Sequence, residues 1–206
     1  MESAIPEPAR PPSETRRSLV CPPFTPFPVL ETQRLILREI RADDTPAIFD
    51  LYADETIAAH VGSVTFSSHA EAQEIIEFMS SAYGEGKVIR WGITLRREDR
   101  VIGSCGFHRL STRDRRAEIG YDLSPTYWRQ GIMREALRAM FGFGFETMHL
   151  HRIEAMTYPA NIASWRLLEA LGFTCEGLLR DYAFLRDTFE DVKIYSLLET
   201  DDRLAG

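Results

Sequence analysis

A chain of 206 residues with 44% hydrophobic and 27% charged side chains can bury one full core, and its formal charge of −7 argues against the basic face that general nucleic-acid binding needs. No apolar run approaches the roughly 20 residues of a membrane span, and the N-terminus lacks the apolar core of a secretory signal. Three cysteines, Cys21, Cys105 and Cys175, neither frame a disulfide set nor show metal-ligand spacing, so a reducing cytoplasm is the expected compartment.

Residues 1–28 hold eight of the eleven prolines and no periodic apolar positions. They are expected to form an extended or flexible segment, with Phe24 and Phe27 tucked against the domain that occupies 29–206. A strand follows over Arg34–Ile40. Asp43 or Asp44 can cap a helix that carries Pro46 in its first turn and runs to about Tyr52. Thr56–Phe66 is irregular. Ser68 and Glu71 have capping-box spacing ahead of a helix with Ala72, Ile75, Ile76, Met79 and Tyr83 on one face. Strands over Ile89–Leu95 and Val101–Leu110 flank a polar turn at Arg97–Arg100.

The stretch Glu118–Ala136 then joins a strand, a glycine-bearing loop and a helix start. Ile119, Tyr121 and Leu123 alternate, Ser124-Pro125-Thr126 breaks the pattern, and Met133, Leu137, Met140 and Phe141 recur at helical spacing. A loop and helix N-terminus of this kind present free N–H groups and the positive end of a dipole, which suit a phosphate. Gly131 lets the backbone approach a ligand closely. The loop is neither a Walker loop nor a dinucleotide fingerprint. The helix reaches about Thr147, although Phe141–Phe145 also alternates like a strand. Arg152–Tyr158 is a strand, Asn161 caps a helix that Gly172 ends, and strands over Cys175–Leu185 and Val192–Leu198 flank a turn at Asp187–Glu190. Antiparallel hairpins beside a strand–helix–strand crossover predict an α/β domain with a mixed, mostly antiparallel sheet and helices on both faces.

Several stretches together resemble the GNAT superfamily of N-acetyltransferases, in its RimJ/RimL-like branch. They are Glu31-Thr32-Gln33-Arg34-Leu35-Ile36-Leu37-Arg38, Glu118-Ile119-Gly120-Tyr121, Trp128–Ala136, and Asn161-Ile162-Ala163-Ser164 ahead of Leu171-Gly172-Phe173. They follow the family's order over roughly Glu31–Leu198. The resemblance implies acetyl-CoA as cosubstrate, a primary amine as acceptor and no metal. It implies that the strands of Glu118–Leu123 and Arg152–Tyr158 splay apart, so that the pantetheine arm pairs with Tyr121, Asp122 and Leu123 as an added strand. Trp128, Arg129, Gln130, Gly131, Ile132, Met133 and Arg134 would receive the diphosphate, and Asn161 the pantetheine or its thioester end. Met133 stands where the family has a smaller residue, and is expected to shift the phosphate slightly. Leu168 stands where many members carry the tyrosine that protonates the leaving thiolate. In this branch a serine at the position of Ser164 is the proposed substitute.

The chemistry needs a base for the amine and a proton for coenzyme A thiolate. Glu118 is the first choice of base and Asp122 the second. Ser164 is the proton donor, with Tyr121, Tyr158 and Tyr182 as alternatives. Cys105 and Cys175 read as small buried core residues. His149 and His151 do not make a metal site. His108 is a candidate substrate contact, and Arg109, Arg113, Arg115 and Arg116 a solvated loop. The expected acceptor is a protein N-terminus, met in a pocket built from Thr56–Phe66, the second helix and the Tyr182 region. A polyamine, an amino acid or an antibiotic is the alternative, as is a non-catalytic acyl-CoA-binding module. No nucleic-acid or membrane partner is expected, and the protein would be a monomer or homodimer.

Overall fold

Alternating apolar side chains build a sheet of eight strands among the described residues, which in this computed structural model are 18–57, 65–185 and 187–201. The strands are β1 (Leu30–Glu31), β2 (Leu35–Glu39), β3 (Ile89–Leu95), β4 (Glu98–Ser111), β5 (Arg116–Leu123), β6 (Arg152–Thr157), β7 (Thr174–Leu185) and β8 (Thr188–Leu198). Across the sheet they run β1-β2-β3-β4-β5-β6-β8-β7. Neighbours are antiparallel except β5 and β6, which run parallel because a helix crosses over between them.

Among the described residues α1 (Thr45–Tyr52), α2 (His69–Gly84), α3 (Ile132–Glu146) and α4 (Ile162–Ala170) are the longer helices, and α2 and α4 start at side-chain caps. Ser68 and Glu71 form the capping box of α2. Asn161 Oδ1 accepts the Ser164 N–H at 3.1 Å, and Gly172, at φ 94°, ends α4. Arg38 on β2 ion-pairs with Asp44 at 2.8 Å and thereby ties the start of α1 to the sheet.

Period-two alternation sorts the side chains of β5 onto two faces. Ile119 and Leu123 join Trp91, Cys105 and Phe107 and the α3 residues Met133, Leu137, Met140 and Phe141 in the main core. Phe141–Phe145 is helix, and it presses close to the sheet: a Cβ on Gly144 would come within 2.7 Å of the Phe107 ring. The opposite face is covered over β2–β4 by α1 and α2, through Ile40, Ile48, Ala72, Ile76 and Val101. Glu118, Gly120 and Asp122 lie on that second face. No described helix is long and apolar enough to cross a membrane.

Differences from the sequence reading are local. The β3–β4 turn is Arg96–Arg97 rather than Arg97–Arg100, because exposed Glu98, Asp99 and Arg100 remain extended at the sheet's rim. β8 begins at Thr188 rather than Val192, its charged first residues being solvated. Cys105 is buried as expected, but Cys175 is exposed on the edge strand β7. The middle of Thr56–Phe66 falls outside the described residues, as does 1–17 of the proline-rich segment.

Residues 18–28 lie against the domain. Leu19 enters the core, Val20 N–H bonds the Met148 carbonyl at 2.9 Å, and Phe24 meets Phe143 edge-on with centroids 5.3 Å apart. The Tyr83 hydroxyl accepts from Phe24 N at 2.7 Å and donates to Phe24 O at 2.8 Å. A single side chain thus satisfies both polar groups of a proline-flanked residue that no strand can satisfy. Tyr83→Phe should therefore leave a donor and an acceptor unpaired and cost about 1–3 kcal/mol in urea unfolding. Hydrogen exchange at the Phe24 amide should rise with it. Unchanged stability and exchange would contradict this role.

Candidate active site

The parallel pairing of β5 with β6 covers only Arg116↔Arg152, Ala117↔Ile153, Glu118↔Glu154 and Ile119↔Ala155. Beyond it β5 continues through Leu123 and β6 through Thr157 without pairing to each other. Their outer sides stay paired, β5 to β4 and β6 to β8. A wedge therefore opens between Gly120–Leu123 and Met156–Thr157. Backbone polar groups facing a gap of this kind are available to an extended ligand.

The mouth of the wedge is closed by the loop from β5 to α3. Gly131 caps α3 at φ 74°, and Arg129 also adopts the left-handed region at φ 59°. The first helical bond runs from Glu135 N to Gly131 O at 3.0 Å. The amides of Ile132, Met133 and Arg134 precede it, so they have no partner within the helix. Side chains hold the loop's carbonyls: Trp128 Nε1 donates to Leu123 O at 2.7 Å, Gln130 Nε2 to Thr126 O at 2.9 Å, and Arg34 Nη1 to Gln130 O at 2.9 Å. Arg34 is itself paired with Glu135 at 2.6 Å, which also accepts from Thr32 Oγ1 at 2.5 Å. Ile132 and Met133 bury their side chains in the core, so Met133 does not crowd the loop as its size suggests. Arg134 Nη2 reaches the Ala170 carbonyl at the end of α4, at 3.0 Å. These residues fit a diphosphate through backbone amides rather than side chains.

Two hydroxyls meet across the core side of the wedge. Tyr121 OH and Ser164 Oγ are 2.8 Å apart. Burial pushes the Tyr121 phenol up to about 12, against the opposing effect of the Ser164 hydrogen bond, so it stays protonated. Ser164 sits in the first turn of α4 because Asn161 caps that turn. Leu168, one turn on, is wholly buried in the core and offers no polar group.

On the opposite face Glu118 is mostly buried, and Arg109 Nη1 donates to its Oε2 at 2.9 Å. Burial raises its carboxyl above the ordinary range, and Arg109 opposes that shift. His108 Nε2 lies 3.8 Å from Glu118 Oε1. Burial, with Arg90 and Arg109 nearby, pushes His108 down to about 4, so it is neutral near pH 7. Tyr182 of β7 interacts with Arg109. Asp122 is committed elsewhere: it ion-pairs with Arg90 and accepts from Ser104 N, Ser104 Oγ and Tyr52 OH. That removes Asp122 as the second choice of base and leaves only its backbone for an extended ligand. Cys105 is buried, and burial pushes its thiol up to about 12, which suits a core residue rather than a nucleophile.

The structure thus gathers Glu118, Tyr121, Ser164, Asn161 and the 128–134 loop around one wedge. Sequence reasoning missed Arg34 as the loop's anchor and the Tyr52–Arg90–Ser104–Asp122 network; nothing local marks either. His149 and His151 are apart from the site, His151 lying 3.4 Å from Glu199. Among the described residues no group of three or more histidine, cysteine or acidic side chains could hold a metal.

Known proteins resemble this chain in sequence and fold. The profile of the acetyltransferase (GNAT) domain matches residues 34–174. YoaA of Bacillus subtilis, named an uncharacterized N-acetyltransferase, is 39% identical over 84% of this chain and 98% of its own. The [ribosomal protein uS5]-alanine N-acetyltransferase of Escherichia coli is 28% identical over 86% of this chain and 93% of its own. The crystal structure of spermidine N-acetyltransferase from Vibrio cholerae, in complex with CoA and spermine, superposes with a TM-score of 0.73 at 21% identity, over 82% of this chain and 98% of that one. The wedge, its amide-bearing loop and the family match over most of the domain lead to one conclusion: this chain belongs to the GNAT family and is an acetyl-CoA-dependent N-acetyltransferase.

Proposed function

We propose that the acceptor is the α-amine of a protein N-terminus and that transfer is direct. The observation that carries this reading is the ion pairing of the carboxylates that β5, β6 and the start of β7 present on the open face. Among the described residues Glu118 is held by Arg109, Asp122 by Arg90, Glu154 by Arg116 and Arg152, and Glu176 by Arg152. A polyamine carries further ammonium groups that want unpaired carboxylates. An N-terminal peptide brings one amine and then neutral amides. The likeness to a uS5-alanine acetyltransferase supports the same choice. The spermidine enzyme, at 21% identity, shares the fold alone.

In this reading the pantetheine arm pairs with β5 backbone at Tyr121–Leu123, the diphosphate meets the amides of Gly131–Arg134, and Asn161 faces the thioester end. Acetyl-CoA supplies an acetyl group already activated as a thioester, so no nucleophile of the protein is needed. Glu118 removes the amine's proton, directly or through water. Its raised carboxyl makes it the better base, because basicity follows pKa. Arg109 holds the carboxylate in place and keeps that rise moderate. Ser164 Oγ presents a proton to the departing thiolate, and the Tyr121 hydroxyl behind it fixes its direction and can replenish it.

A panel assay of CoA release should give the highest kcat/KM with peptides of free N-terminus, ahead of spermidine and aminoglycosides. A preference for spermidine would contradict the acceptor reading. Glu118→Gln should lower kcat about 10²–10³-fold with CoA affinity retained. In the parent protein kcat/KM should fall as pH drops through the raised Glu118 pKa, since only the carboxylate can accept a proton. That acid limb should vanish in the variant, and its persistence would remove Glu118 as base. Ser164→Ala and Tyr121→Phe should each lower kcat about tenfold or more, and the double variant hardly further, because two hydroxyls acting as one unit are not additive. Multiplicative losses would separate their roles.

A further inference from the structure

Arg90 leaves β3 on the open face and is fixed from two sides. Its Nε donates to Ser104 Oγ at 2.8 Å and its Nη2 donates to Asp122 Oδ2. Asp122 is in turn locked by the Ser104 N–H at 3.0 Å and the Tyr52 hydroxyl at 2.8 Å. The guanidinium fork is planar and rigid, so fixing two nitrogens aims the third. That third nitrogen, Nη1, makes no hydrogen bond among the described residues. It lies 3.2 Å from the point where a Cβ on Gly120 would stand, and His108 Nε2 lies 3.8 Å from the same point. The Arg90 side chain retains 17% exposure.

Gly120 is the first residue of β5 past the end of its pairing with β6. The lack of a side chain there lets Nη1 lie against the β5 backbone where the wedge begins. Glu118 stands on the same face two residues earlier, about 6.6 Å along the strand. An α-amino acyl acceptor carries a primary amine and a carbonyl oxygen within one residue.

We propose that Arg90 Nη1 binds the carbonyl oxygen that follows the acceptor's primary amine, and so selects α-amino acyl acceptors over simple amines and polyamines. The proposal rests on the N-terminal-amine reading above and adds the group that recognises it. Arg90 is charge-compensated by Asp122, so it accepts a neutral peptide carbonyl without demanding an anion. A second ammonium placed there meets a cation instead of a carboxylate. A free amino acid offers the same oxygen as part of a carboxylate, and the two sources are separated by assay.

The test compares kcat/KM of the full chain for an alanine-led tripeptide amide, free alanine, propylamine and spermidine. Two variants are used: Arg90→Gln combined with Asp122→Asn, which removes both buried charges together, and Gly120→Ala, whose methyl carbon would stand 3.2 Å from Nη1 and crowd that nitrogen while both charges are kept. The peptide-to-propylamine ratio should fall about 30-fold in each, as expected for one lost hydrogen bond to a charged group, mainly through KM. A larger loss for alanine than for the tripeptide supports the proposal with a carboxylate as the natural source. Parallel losses for peptide and propylamine, or no loss in Gly120→Ala, overturn the Arg90 assignment and leave the N-terminal reading standing. A parent protein that acetylates spermidine but neither peptide nor alanine overturns both.

Discussion

Everything functional in this molecule depends on two parallel strands that part company after four paired residues. Past that point β5 stays paired to β4 and β6 to β8, and no β5–β6 pairing spans the gap. The backbone groups left between them need partners, and an extended ligand with amides of its own supplies them at the same spacing as a strand. The loop at the mouth extends the same logic to charge. Its carbonyls are occupied by Trp128, Gln130 and Arg34, while the amides opening α3 stay outside the helix's own bonding. One structural fault thus provides for both the neutral and the anionic part of a cosubstrate.

The two faces of β5 divide the chemistry. In the proposed mechanism the core face, where Tyr121 bonds Ser164, supplies the proton for sulfur. The open face carries Glu118 and the charged network, where an amine must arrive from solvent. The chain is acidic overall, yet the carboxylates around the wedge on that face are matched by arginines. Pairing keeps those charges tolerable at partial burial, since an unpaired buried carboxylate would neutralise itself by protonation. It also shapes what the face can attract, because net charge alone would favour a polycation and the local pairing does not.

Much of this was legible from the sequence, and the reasons are local. The apolar stripe of Met133, Leu137, Met140 and Phe141, the Ser68–Glu71 capping box and the Asn161 cap are short-range patterns, and all form. Gly131 is where the loop demands a left-handed residue. What escaped is non-local. Arg90 and Asp122 are 32 residues apart, Tyr52 and Asp122 are 70, and Arg34 meets its loop across 96. No periodicity encodes such pairings; only the strand order brings them together. Residues 18–28 lie against the domain with Phe24 and Phe27 packed as the sequence suggests, but the Tyr83 hydroxyl that holds Phe24 is 59 residues away and no local pattern marks it. Met133 shows the converse: a bulky residue at a loop position is harmless when its side chain points into the core.

The most direct measurement of the central claim is amide hydrogen exchange of the full chain with and without saturating CoA. Slowing confined to Gly120–Leu123 and to Gly131–Arg134 is the expected result, because those amides alone would gain partners. Slowing elsewhere with these two stretches untouched would contradict the wedge as the cosubstrate's seat.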